Sequence, residues 1–158
     1  MKRPWNIPEL PVFSLVTQLG GRFNMNVCTY VTAISMQPKL YAVAIYKGTY
    51  TLDFAQKSDT AVLQLMNKDH YALVKKLGQG SGKAYDKIAW LQKKNMLDEV
   101  WGFPVLKSGC AYMLVNKVTT LDTGGDHFLF VYKVEKHKSQ NDHCLTTKIL
   151  RDKGIIRA

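Results

Sequence analysis

The chain has 158 residues, enough for one domain with a real core, and its 46% of hydrophobic residues are spread throughout, which excludes wholesale disorder. Lys and Arg outnumber Asp and Glu by 22 to 12, and the formal net charge of +10 narrows a partner to an anion: nucleic acid, an anionic membrane or a phosphorylated small molecule. No apolar run approaches the roughly 20 residues that span a bilayer, and the basic start Met1-Lys2-Arg3-Pro4 leads into a proline-broken stretch, Trp5 to Pro11, instead of a signal core, so a soluble chain is expected.

Val12 to Thr17 reads as a first strand, and Leu19-Gly20-Gly21-Arg22 as a tight turn, since adjacent glycines allow positive φ. Two β-rich runs follow, Val27 to Ser35 and Leu40 to Tyr46, separated by the turn-forming Gln37-Pro38-Lys39. Asn26 and Thr29 lie at the start of the first run. Lys47, Thr49 and Thr51 follow the second, just before a helix-like stretch, Leu52 to Gln56, that Thr51 would start. If the two runs pair antiparallel, those ends meet at one edge of the sheet and bring together an amide, several hydroxyls and an ammonium. Such a group can hydrogen-bond the rim of a planar heterocycle and neutralise a phosphate, with free N–H groups at the helix start. A hairpin with an ordinary polar end and a Thr N-cap has the same pattern.

Thr60 to Met66 is a compact apolar run, most simply a buried strand. Lys68 to Gly78 places Leu73, Val74 and Leu77 on one helical face and closes on glycine, as a surface helix would. Gly78-Gln79-Gly80-Ser81-Gly82-Lys83 is not a Walker A loop, because Ala84 follows the lysine where a magnesium-binding hydroxyl is required and the stretch follows a helix. It reads as a flexible connector able to fold over a ligand. Asp86 to Lys94 returns to helical spacing, and Pro104-Val105-Leu106 leads into the next strand. Cys110 to Leu121 and Asp126 to Lys136 are two long strands joined by the hairpin signal Asp122-Thr123-Gly124-Gly125. His137 to Asp142 reads as a polar mobile tail, Leu145 to Leu150 as a final edge strand, and Lys153 to Ile156 as a segment that pairs or packs against a second subunit.

Cys28, Cys110 and Cys144 are odd in number and far apart, which suits reduced thiols in the cytoplasm. His137, His143 and Cys144 match no trusted zinc spacing, so no metal is expected.

Taken in order, Val16-Thr17, Asn26-x-x-Thr29, the β run to Ser35, Pro38, the second β run, Lys47-x-Thr49-x-Thr51, Asp86-Lys87 and Gly125-Asp126-His127 resemble the flavin reductase-like family, the FMN-binding split barrels. The resemblance runs from about residue 13 to 134, leaving 137–158 as a tail of one single domain spanning 1–158. It implies a mainly β fold with short helices, an antiparallel split β-barrel of the FMN-binding type, usually a homodimer with the flavin near the subunit interface. It also implies that Asn26 and Thr29 bond the polar edge of the ring. Lys47, Thr49 and Thr51 would then lie toward the phosphate with Tyr46 alongside, Lys83 or Lys87 taking the phosphate should Lys47 not, and His127 would face the nicotinamide or flavin pocket.

A flavin does its own redox chemistry, so the absence of a triad, paired carboxylates or metal box fits this reading. The expected function is an NAD(P)H-dependent flavin or flavoprotein reductase, with FMN ahead of FAD as cofactor and a monooxygenase or other electron acceptor as partner. Two alternatives stand beside it: an FMN-bound electron-transfer protein of the same fold, and a basic RNA-binding barrel using Tyr30, Tyr41, Tyr46 and Tyr50 as stacking residues. The last requires Tyr41 and Tyr50 to share an exposed sheet face with lysines.

Overall fold

The strand Phe13–Leu19 (β1) is apolar on both faces because it has a core on each side. Phe13 and Leu15 point into one cluster with Val43, Ile45, Leu63, Phe130 and Tyr132, whereas Val12 and Val16 point into a second with Met25, Val62, Met66, Val105 and Leu145. Thr60–Leu65 (β5) divides its alternating side chains the same way, which is the period-2 geometry of a strand between two layers. The computed structural model describes residues 1–157.

Seven strands form one antiparallel sheet in the order β2-β1-β5-β8-β9-β4-β3, where β2 is Arg22–Met25, β3 Val31–Ser35, β4 Leu40–Tyr46, β8 Ala111–Asp122 and β9 His127–Ser139. A small second sheet pairs Leu97–Val100 (β6) with Phe103–Leu106 (β7). The large sheet curls until its ends nearly meet. Between them runs the segment 26–30, which pairs its Cys28 with Phe13 (N···O 2.9 and 2.8 Å) and its Tyr30 carbonyl with Ala44 N (2.9 Å). The barrel is split at this segment, and the expected strand from Val27 begins only at Val31, because residues 27–30 divide their backbone between two strands.

Among the described residues three α-helices close the fold: Tyr50–Lys57 (α1), Lys87–Lys93 (α2) and Thr147–Asp152 (α3). The cap of α1 is Thr49, whose hydroxyl accepts from Leu52 N at 3.2 Å, rather than Thr51. The expected surface helix over 68–78 is instead a 3₁₀ turn, Lys68–Leu73, followed by a π turn, Lys75–Gln79, with Leu73, Val74 and Leu77 buried in the second core. Its start is held by a reciprocal cap in which Asn67 Oδ1 accepts from Asp69 N and His70 Nδ1 accepts from Asn67 N.

Two expectations for the C-terminus are overturned. Residues 137–139 are paired in β9, with His137 opposite Met113 and Lys138 opposite Tyr112, so that stretch is no loose tail. Leu145 to Leu150 is no edge strand either: Thr146 caps α3, and Leu145 and Leu150 fill the second core. Ile155 and Ile156 pack against that same core of their own chain. No helix among the described residues is long and apolar enough to cross a membrane.

Candidate functional site

A cleft of about 470 Å³ opens where the barrel is split. Register builds it: β3 lies antiparallel to β4 with Val31 opposite Val43, which brings Thr29 and Tyr30 beside Ala44 to Tyr46. β4 in turn sets Tyr46 opposite His127 of β9. The loop 77–82 forms the facing wall, and Lys87 at the start of α2 reaches in behind it.

Of the residues expected at a site, Asn26, Thr29, Tyr46, Thr49, Thr51, Lys87 and His127 line this cleft. Asn26 is buried, and its Oδ1 accepts from Leu15 N at 2.8 Å, which ties the segment to β1. Thr51 Oγ1 accepts from Asn24 Nδ2 at 3.0 Å, so its own proton is left to donate. Thr49 is committed to the helix, donating to Tyr46 O at 2.8 Å while capping Leu52 N. His127 sits between the rings of Tyr30 and Tyr46, at centroid distances of 5.2 and 5.3 Å, with Nδ1 2.6 Å from the Asp126 carboxylate.

Lys47 and Lys83 do not line the cleft. Lys47 Nζ lies 2.8 Å from Asp122 Oδ1, across the hairpin that brings β8 beside β9, and Lys83 Nζ lies 3.6 Å from Asp53. The cation in the cleft is Lys87, 6% exposed, which donates to Leu77 O at 2.5 Å and has no carboxylate partner among the described residues. Burial pushes its amine down to about 8. Among the described residues no carboxylate lines this cleft. Its floor includes Cys28, whose thiol burial pushes up to about 12, so it stays protonated and inert.

The residues present fit a flat, anionic heterocyclic nucleotide. Backbone and side-chain donors lie along the rim, tyrosine and histidine rings flank the opening, and one buried ammonium is unneutralised. Sequence reasoning missed Asn24 and Leu77 and gave Tyr50 a stacking role only; Asn24 bonds Thr51 and the Tyr50 ring lies against Gly82, contacts that no local pattern announces. Tyr50 belongs to α1, and Tyr41 turns inward against Phe13 at 6.4 Å, so these two do not share the exposed sheet face that the RNA-binding alternative requires of them. Among the described residues no group of three His, Cys, Asp or Glu side chains is placed to hold a metal.

A family model described as flavin reductase like domain matches residues 9–148. The chain is 30% identical over 122 residues to a high molecular weight rubredoxin of Moorella thermoacetica, with 76% of this chain and 52% of that protein covered, so it spans about half the length of this relative. Among solved structures it resembles the FMN-binding protein from Thermus thermophilus with bound 1-cyclohex-2-enone (TM-score 0.76, 21% identity, 88% of this chain and 75% of that one). It also resembles flavin reductase PheA2 in its native state (TM-score 0.72, 23% identity, 86% and 83%). At these identities the two structures speak for the fold, the split barrel that the ordered motifs implied.

Proposed function

Because this chain belongs to the flavin reductase like family, we propose that its cleft binds FMN and that the protein transfers a hydride from NADH or NADPH to it. The observation that carries the reading is the buried Lys87 ammonium, bonded to a carbonyl alone, in a cleft that no carboxylate among the described residues lines. A buried cation of this kind favours a ligand that brings negative charge. Bound there, the flavin supplies the redox chemistry, and the protein's part is to hold and orient it.

In this reading Asn26 and Thr29 face the polar edge of the ring, Thr51 and the first turn of α1 offer donors toward the phosphate, and Tyr46 packs alongside. His127, between two tyrosine rings at the opening, orients the nicotinamide. Lys47 joins the phosphate only by leaving Asp122. The test is to mix the purified protein with FMN, desalt it and record the flavin absorbance. We expect about one FMN per chain, and a colourless protein that also fails to quench FMN fluorescence would remove the reading.

A second reading, an FMN-bound electron carrier, is favoured by the name of the relative from Moorella thermoacetica. Steady oxidation of NADH by the FMN-loaded protein separates the two: turnover supports the reductase, and its absence with FMN bound supports the carrier. A homodimer, a monooxygenase or other acceptor as the partner that receives the electrons, and a cytoplasmic location suited to three free cysteines complete the proposal.

A further inference from the structure

Beyond the neck of the main cleft lies a second one of about 210 Å³, between the β1–β2 hairpin and the start of α2. The two share Tyr50, Gly82 and Lys87. Gly82 forms the neck because nothing larger fits: a Cβ there would fall 2.7 Å from Asn24 Oδ1 and closer still to the Tyr50 ring. The outer wall is Arg22, whose guanidinium has no hydrogen-bond or ion-pair partner among the described residues. Asp86 is the carboxylate present, and its Oδ1 is engaged by Ala89 N at 3.0 Å as the cap of α2. Among the described residues the second cleft thus has two cations, Arg22 and Lys87, against one carboxylate, and the buried Lys87 lines both clefts.

We propose that this second cleft is a phosphate subsite continuous with the main cleft, in which Arg22 and Lys87 neutralise a nucleotide phosphate. The inference rests on the nucleotide-binding reading above and adds a place and a residue to it. A guanidinium suits the role because it presents a planar fork of donors to phosphate oxygens and stays charged at any working pH. Burial lowers the Lys87 pKa, and an anion bound beside it would favour the charged form. The phosphate belongs either to the flavin nucleotide or to the pyridine nucleotide donor, since both present the same group.

The experiment compares wild type, Arg22→Gln and, as a control for loss of one surface charge, Lys138→Gln, all at one ionic strength. Binding of inorganic pyrophosphate is measured by calorimetry, riboflavin, FMN and FAD affinities by fluorescence quenching, and KM for NADH and NADPH by turnover. Arg22 is exposed on a hairpin, so its variant should fold. Arg22→Gln is expected to weaken pyrophosphate at least five-fold. If the phosphate is the flavin's, FMN weakens about ten-fold and riboflavin less than two-fold. If it is the donor's, flavin affinities hold and KM for NADH rises about ten-fold. Changes below two-fold throughout, or equal losses in Lys138→Gln, overturn the subsite. Arg22-dependent pyrophosphate binding without flavin binding in wild type would leave the subsite standing and remove the flavin reading instead.

Discussion

A lysine ammonium held at 6% exposure with a carbonyl as its partner destabilises the ligand-free fold. The folded protein releases the Lys87 proton near pH 8 and the unfolded chain near 10.5, so the unfolded state binds more protons between those values. The deficit is therefore full below pH 8 and closes as pH rises toward 10.5. At neutral pH, Lys87→Met should raise the urea-unfolding stability of the ligand-free protein by about 1–3 kcal/mol while weakening FMN binding about ten-fold or more. A variant less stable than wild type would show that the charge stabilises the fold instead. His70 is a second titratable side chain held in the interior. Its Nδ1 accepts from Asn67 N at 3.1 Å and its Nε2 lies 2.8 Å from Lys107 O, an arrangement that suits the neutral ring with its proton on Nε2. Burial lowers its pKa against the opposing pull of the Lys107 carbonyl and of Asp69. The unfolded chain takes up this proton first, near 6.5, so the contribution is complete above that pH and is lost as pH falls toward the lower folded value. Urea midpoints measured from pH 7.5 to 5 should fall more steeply for wild type than for His70→Gln. Parallel curves would mean that His70 does not titrate in this range.

Among the elements, α3 departs most from its sequence pattern, and its packing gives the reason. Thr147 joins the N-terminal arm twice, through its N to Leu10 O at 2.8 Å and through Leu10 N to its Oγ1 at 3.0 Å. Leu150 is almost fully buried among side chains of the second core. Truncating it leaves a cavity under a helix only six residues long, which can relax in part. Leu150→Ala is expected to cost about 2–4 kcal/mol of unfolding free energy by chemical denaturation, with FMN affinity per folded molecule unchanged because α3 does not line the cleft. A loss below about 0.5 kcal/mol would show that Leu150 does not anchor this helix in the core.

At the scale of the whole molecule, the outer face of the sheet bears on assembly. Leu121 of β8, Leu129 of β9 and Ala44 of β4 are cross-strand partners on the face opposite the buried Val43, Phe130 and Tyr132. Leu121 is exposed, and the face runs on to Tyr30 and Tyr46 at the cleft mouth, both exposed as well. Tyrosine and leucine in such a row are the composition of an interface core. A two-fold related copy would cover it and narrow the cleft. Light scattering should give twice the 17.9 kDa chain mass for wild type and the single mass for Leu121→Asp. A monomeric wild type with FMN bound would remove the dimer.

Where one physical signal dominated a stretch, the amino-acid sequence was sufficient. Alternating or continuous apolar runs located β1, β4, β5, β8 and β9, and glycine pairs with positive φ placed the turn at Gly20-Gly21. The order of Asn26, Thr29, Thr49 and Thr51 around an antiparallel pair foretold that they would meet at one cleft. Tertiary structure decided what depends on partners distant in the chain. The stretch from Lys68 to Gln79 took 3₁₀ and π geometry with Leu73 and Leu77 in the second core, and Lys47, expected to lie toward a phosphate, pairs with Asp122, 75 residues away. Lys87, one lysine in a basic chain, is buried at the cleft where α2 packs against β2, with the Leu77 carbonyl as its partner. Local pattern carries hydrophobic period and turn chemistry, whereas burial and charge pairing are properties of the assembled neighbourhood.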